Sequence, residues 1–203
     1  MTYSDFTLDT LKKTFNLRIV QQPLLPEIEP VAVPVWLQEA IEQGLSLALS
    51  SEKARSEFIV APILLALRKL TDNRFAIYSG QRLDIDATQG LVGECDFILA
   101  CTQPLPVLQA PLVTIVEAKK NDVETGLGQC AAQMIGARLF NQREGNDITT
   151  LFGCVTTGET WQFLKLSEDT LSLDSRHYYI DRLEIILGVW QAIIAYEQPV
   201  QAT

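Results

Sequence analysis

Val113-Thr114-Ile115-Val116-Glu117-Ala118-Lys119 is largely apolar until its last residues, where two charges appear two positions apart. Side chains alternate along a strand, so Glu117 and Lys119 project from one face together. A strand that is apolar on both faces belongs in the middle of a sheet covered on each side. The stretch therefore predicts a central strand whose charged pair emerges at its end, where a site can open. Gly93-Glu94-Cys95-Asp96-Phe97-Ile98-Leu99 repeats the design: a turn glycine, then acids entering an apolar strand, with Glu94 on the face of Asp96. Two carboxylates from neighbouring strands suit a hard cation such as Mg²⁺, which keeps several waters and takes one or two protein carboxylates. A lysine beside them can orient a water or stabilise charge building on a phosphate.

Outward from this centre, Phe75–Ser79, Arg82–Asp86, Cys95–Cys101 and Leu112–Lys119 read as strands of one sheet, punctuated by Gly80, Gly90, Gly93 and a Pro104–Pro111 loop. Upstream, helical spacing covers Val35–Leu49 and then Glu52–Leu70, with a cap at Ser50 or Ser51 and a kink expected near Pro62. Glu57 sits just ahead of that kink. Downstream, a helix is predicted from Asn121 to about Asn141. A hairpin turning at Gly158 and a last helix along Leu183, Ile186, Trp190 and Ile193 follow. The first 34 residues read as a short helix over Thr7–Phe15 and an extended arm broken by Pro23, Pro26, Pro30 and Pro34, whose apolar residues lie on the body. Residues 35–203 then form one domain.

Four elements in this order resemble the PD-(D/E)XK nuclease superfamily: Glu57 on an early helix, Asp96 after a turn glycine, Glu117-Ala118-Lys119 ending an apolar strand, and Gln129 on the next helix. Asp96 and Glu117 stand 21 positions apart, room for a strand, a loop and a second strand. Cys95 occupies the position of the motif's proline, and Gln129-Cys-Ala-Ala-Gln133 stands where many relatives carry Gln-x-x-x-Tyr. The resemblance implies an α/β fold of restriction-endonuclease-like type, a three-layer core with a central mixed β-sheet flanked by helices. It implies that Asp96, Glu117 and the carbonyl of Ala118 bind Mg²⁺ or Mn²⁺, and that Lys119 acts on the attacking water. Glu57 completes the site from its helix, Gln129 steers the lysine or the phosphate, Gln133 replaces the tyrosine's contact, and Glu94 is auxiliary. The implied substrate is DNA. The rival reading is a binding or regulatory domain that keeps these residues without turnover, and a third is a structural charge network.

Composition narrows the alternatives. With 16 Lys and Arg against 25 Asp and Glu in 203 residues, the net charge of −9 repels polyanions at long range and argues against a nonspecific DNA coat. Screening over about 8 Å leaves room for a local cationic site. Four cysteines without CxxC spacing and a lone His177 cannot assemble the common zinc constellations, so the cysteines read as reduced core residues and any metal is held by oxygen. His177 reads as a strand or turn residue and Trp161 as packing. No basic segment leads an apolar run at the start, and no stretch approaches the roughly 20 apolar residues of a membrane helix, so a cytoplasmic protein with no membrane partner is expected. The sequence leaves open a homodimer or a partner protein that delivers DNA.

Overall fold

The computed structural model describes residues 1–196, so the end of the span read as one domain, residues 197–203, lies outside the described residues. In chain order the elements are α1 (Leu8–Thr14), β1 (Arg18–Gln22), α2 (Val35–Leu47), α3 (Glu52–Arg55), α4 (Ala61–Leu70), β2 (Ala76–Arg82), β3 (Glu94–Ala100), β4 (Leu112–Ala118), α5 (Glu124–Arg143), β5 (Thr150–Thr156), β6 (Thr160–Ser167), β7 (Thr170–Asp174), β8 (Tyr178–Tyr179) and α6 (Leu183–Tyr196). A π-helical turn, Ser56–Val60, joins α3 to α4.

The described strands form one open mixed sheet in the order β1-β7-β6-β5-β4-β3-β2, with β8 beside β6. As its composition demands, β4 lies inside the sheet and every residue of it is buried, with β3 antiparallel on one side and β5 parallel on the other. The parallel pair needs a crossover, and α5 supplies it. Each face of the sheet carries its own core. On one, Phe97, Val116, Phe152 and Phe163 meet Leu64 of α4 and Trp190 of α6. On the other, Ile98, Ile115 and Val155 meet Leu127, Cys130 and Met134 of α5, along with Tyr3, Phe6 and Leu11. The protein is thus α/β, with a mixed sheet between helices. Cys95, Cys130 and Cys154 are buried free thiols, and Trp161 is a buried packing residue set edge-on against Trp190. Among the described residues no helix is long and apolar enough to cross a membrane.

The first 34 residues join this body. β1 runs parallel to β7 at a sheet edge, Tyr3, Phe6 and Leu11 enter one core, and Leu25 enters the other, while the Val31 amide donates to the Glu184 carbonyl at 2.9 Å. Arg82–Asp86, expected as a separate strand, is the end of β2 followed by a turn. There Asp86 Oδ1 accepts from the backbone amides of Thr88 (2.9 Å) and Gln89 (3.2 Å), a local bond that competes with a ladder. The irregularity expected at Pro62 takes the form of the π turn immediately before it.

Asn141, wholly buried near the end of α5, accepts from the Leu112 amide and donates to the Leu112 carbonyl, each at 2.7 Å, and so anchors the start of β4. Asn141→Ala strands both backbone groups. At about 1–3 kcal/mol for each unpaired buried group, urea unfolding should register a loss of roughly 2–6 kcal/mol. A loss below about 1 kcal/mol would mean that this clamp does not hold the strand.

Candidate functional site

β3 and β4 pair only as far as Phe97 and Val116, and beyond that point the two strands part. Asp96 lies at the fork. Its Oδ2 accepts from the Ala118 amide at 2.7 Å, filling the place of the missing ladder bond. The N–H and C=O of one strand residue point to the same side, so the Ala118 carbonyl also faces the Asp96 edge. On the other side of β4 the ladder continues: Ala118 pairs with Thr156 in β5, and the Lys119 amide donates to the Thr156 carbonyl at 2.7 Å.

Glu117 and Lys119 share a face, as strand alternation requires, and they are bonded, with Lys119 Nζ donating to Glu117 Oε1 at 2.9 Å. From α5, Gln129 closes a triangle. Its Oε1 accepts from Lys119 Nζ at 3.0 Å and its Nε2 donates to Glu117 Oε1 at 2.6 Å. One turn further along the helix, Gln133 Nε2 donates to Glu117 Oε2 at 3.0 Å and to the Glu94 carbonyl at 3.3 Å. Gln133 thus meets the site through the glutamate, and Glu94 contributes its backbone. The helix comes this close because Gly126 stands in its first turn: a Cβ there would lie 2.6 Å from Val155 and 3.0 Å from the Lys119 stem.

Glu57 lies elsewhere. On an unbroken α-helix it would fall in line with Val60, Leu64 and Leu67, all buried. The π turn inserts an extra residue over Ser56–Val60, and one residue is about 100° of rotation. Glu57 ends 56% exposed, 3.8 Å from Lys53. The helical carboxylate at the fork is Glu52, whose Oε1 accepts from the Lys120 amide at 3.2 Å and whose charge acts on both Asp96 and Lys119. Its place directly after the Ser51 cap is the sequence signal for it, one shared with any first-turn acid.

Electrostatics follow from burial. Glu117 is 3% exposed; loss of water, then repulsion from Asp96, pushes its pKa up from 4.5 to about 7 against the pull of Lys119. Burial also raises Asp96, more than the Ala118 amide and Lys119 lower it. For Lys119 burial works against the ammonium, but Glu117, and after it Glu52 and Asp96, outweigh it, so the amine holds its proton more tightly than an ordinary lysine. Two adjacent carboxylates that both resist ionisation are a place where a cation is favoured. The donors at the fork are all oxygen: Asp96, Glu117 and the Ala118 carbonyl. Among the described residues no three His, Cys, Asp or Glu side chains gather into a metal cage. Two carboxylates and a carbonyl are the donor type that a hard ion such as Mg²⁺ or Mn²⁺ takes when water fills its remaining positions.

Glu117 binds its proton more tightly in the folded chain than in the unfolded one, so between pH 4.5 and about 7 the folded state carries more protons. Its contribution to stability is complete below pH 4.5 and is lost as pH rises through about 7. In chelator, the parent should lose roughly 3 kcal/mol across this window relative to Glu117→Gln. Parallel stability profiles for the two proteins would show that Glu117 titrates normally.

No protein-family model matches the chain and no curated protein matches it in sequence.

Proposed function

We propose that the protein is a Mg²⁺- or Mn²⁺-dependent phosphodiesterase of the PD-(D/E)XK type that cleaves DNA. The observation that carries this reading is the meeting of Asp96, Glu117 and Lys119 at one strand fork, locked by Gln129 from the crossover helix. The antiparallel β2-β3-β4 run followed by a parallel β4–β5 connection through α5 supports assigning the restriction-endonuclease-like fold.

Asp96, Glu117 and the Ala118 carbonyl would hold the ion. A divalent cation bound there supplies Lewis acidity and positive charge for attack on a phosphodiester. The remaining work belongs to the chain. Lys119 stays protonated, and Glu117 and Gln129 occupy two of its three N–H donors. The third is left for a phosphate oxygen, so Lys119 stabilises developing negative charge instead of accepting a proton. Gln129 fixes the ammonium, and together with Gln133 it holds the Glu117 carboxylate in one orientation. Glu52 adds negative charge beside Asp96 from the N-terminal turn of α3, the part that Glu57 was expected to play.

With Mn²⁺ or Mg²⁺, the parent should cleave DNA, and Lys119→Ala should lower the single-turnover rate by about 10²–10³ while leaving Mn²⁺ binding by calorimetry intact. Activity should fall with added salt, because the net charge of −9 opposes a polyanion outside the site. Cleavage that survives in both Lys119→Ala and Glu117→Ala would reveal a contaminating nuclease and end the proposal. Mn²⁺ binding with no cleavage of linear, nicked, branched or single-stranded DNA would select the non-catalytic domain.

A further inference from the structure

The short helix α3 touches the ends of two neighbouring strands. From its first residue, Glu52 accepts from the Lys120 amide at 3.2 Å, past the end of β4. From its last, Arg55 Nη1 donates to the Thr157 carbonyl at 2.8 Å, past the end of β5. Ala118 pairs with Thr156, so Lys119 and Thr157, the next residues of each chain segment, stand one strand spacing apart, about 5 Å. Arg55 is therefore anchored beside the lysine of the fork.

Its anchor is rigid. The Gly158 amide donates to Thr156 Oγ1 at 2.8 Å, Thr156 Oγ1 donates to the Thr160 carbonyl at 2.9 Å, and Trp161 Nε1 donates to the Gly158 carbonyl at 3.2 Å. The guanidinium itself is only partly answered. Of its five N–H groups, one bonds Thr157 and one, on Nε, is buried without a partner. The others belong to the Nη atoms of a side chain that is partly exposed. The Thr157 carbonyl is neutral, and the two acids of the same helical stretch are turned elsewhere, Glu52 to the Lys120 amide and Glu57 to Lys53. Among the described residues no carboxylate pairs with Arg55. A guanidinium partly withdrawn from water, fixed in place and lacking a counter-ion favours an anion, and its planar fork suits a phosphate.

We propose that Arg55 holds a backbone phosphate of the substrate strand next to the phosphate that Lys119 faces, so that the site takes a nucleic-acid strand by two neighbouring phosphates. The inference rests on reading the fork as a phosphodiester site.

The test is anisotropy titration of a short single-stranded DNA in Mn²⁺, with Lys119→Ala as the reference protein so that cleavage is slow. Adding Arg55→Gln keeps an amide donor for Thr157 and removes the charge. It should weaken binding about tenfold and lower the slope of log affinity against log salt by about 0.7, the share of one phosphate on a single strand. An uncharged methylphosphonate, moved one position at a time along the strand, should weaken binding to the reference protein at one position by more than it weakens binding to the Arg55→Gln protein. In the unsubstituted chain the Arg55 side-chain N–H resonance should shift with the all-phosphate strand and not with the strand neutralised there, a readout that keeps the test decisive should Arg55→Gln fail to fold. The proposal is overturned by no binding of the strand, by weaker binding with an unchanged salt slope, which makes Arg55 merely structural, or by methylphosphonate losses equal in both proteins at every position. Arg55-dependent binding by a parent that never cleaves would end the phosphodiesterase reading and leave the phosphate site standing. Cleavage by the parent together with binding insensitive to Arg55→Gln would do the reverse.

Discussion

Glu117 ends a strand buried on both faces, and with 3% of its surface exposed its carboxyl group has to be answered by what the fold brings to it. Removing a charge from water costs several kcal/mol, and only close, well-aimed partners offset that. One partner, Lys119, is guaranteed by strand alternation. The others, Gln129 and Gln133, depend on a helix lying hard against the sheet, and that requires side chains small enough to let it in. α5 accordingly carries Gly126, Gly128, Ala131, Ala132 and Gly136 among its buried positions. Each glycine weakens an isolated helix by about 1 kcal/mol relative to alanine, so packing, not propensity, holds this one together. Its outer side is closed by the N-terminal residues, since a Cβ at Gly128 would strike the Phe6 carbonyl.

Asp96 carries two duties. It finishes the β3–β4 ladder by accepting the Ala118 amide on Oδ2, which leaves Oδ1 for another partner. The bond that keeps the strands apart at the fork is therefore also the bond that aims the carboxylate. Shape and charge at this point share one side chain.

The site's centre was legible because strand period and apolar content are local properties: Val113–Lys119 carries its own face assignment, and Gln129 and Gln133 sit one helical turn apart. The location of the helical acid was not legible. The line through Glu57, Val60, Leu64 and Leu67 points to Glu57 only if the helix keeps 3.6 residues per turn, and the π turn before Pro62 breaks that period without a mark that separates it from an ordinary kink. β1 and β7 were missed for another reason. Arg18-Ile-Val-Gln-Gln22 and Thr170-Leu-Ser-Leu-Asp174 are five residues each, and what makes the first a strand is the second, some 150 positions away. Non-local pairing leaves no local signature.

That pairing sets an order of events when the chain is made. Arg18 leaves the ribosome long before Thr170, so β1 has no strand to lie against until β7 has been synthesised and has folded back on β6. Long-range parallel pairing forms slowly, and until it forms the β7 edge, with Leu171 and Leu173, is an open template for another chain. The nascent protein is consequently most exposed to strand exchange and aggregation at the opposite end of the sheet from β2, late in synthesis, when every residue of the fork has already been translated.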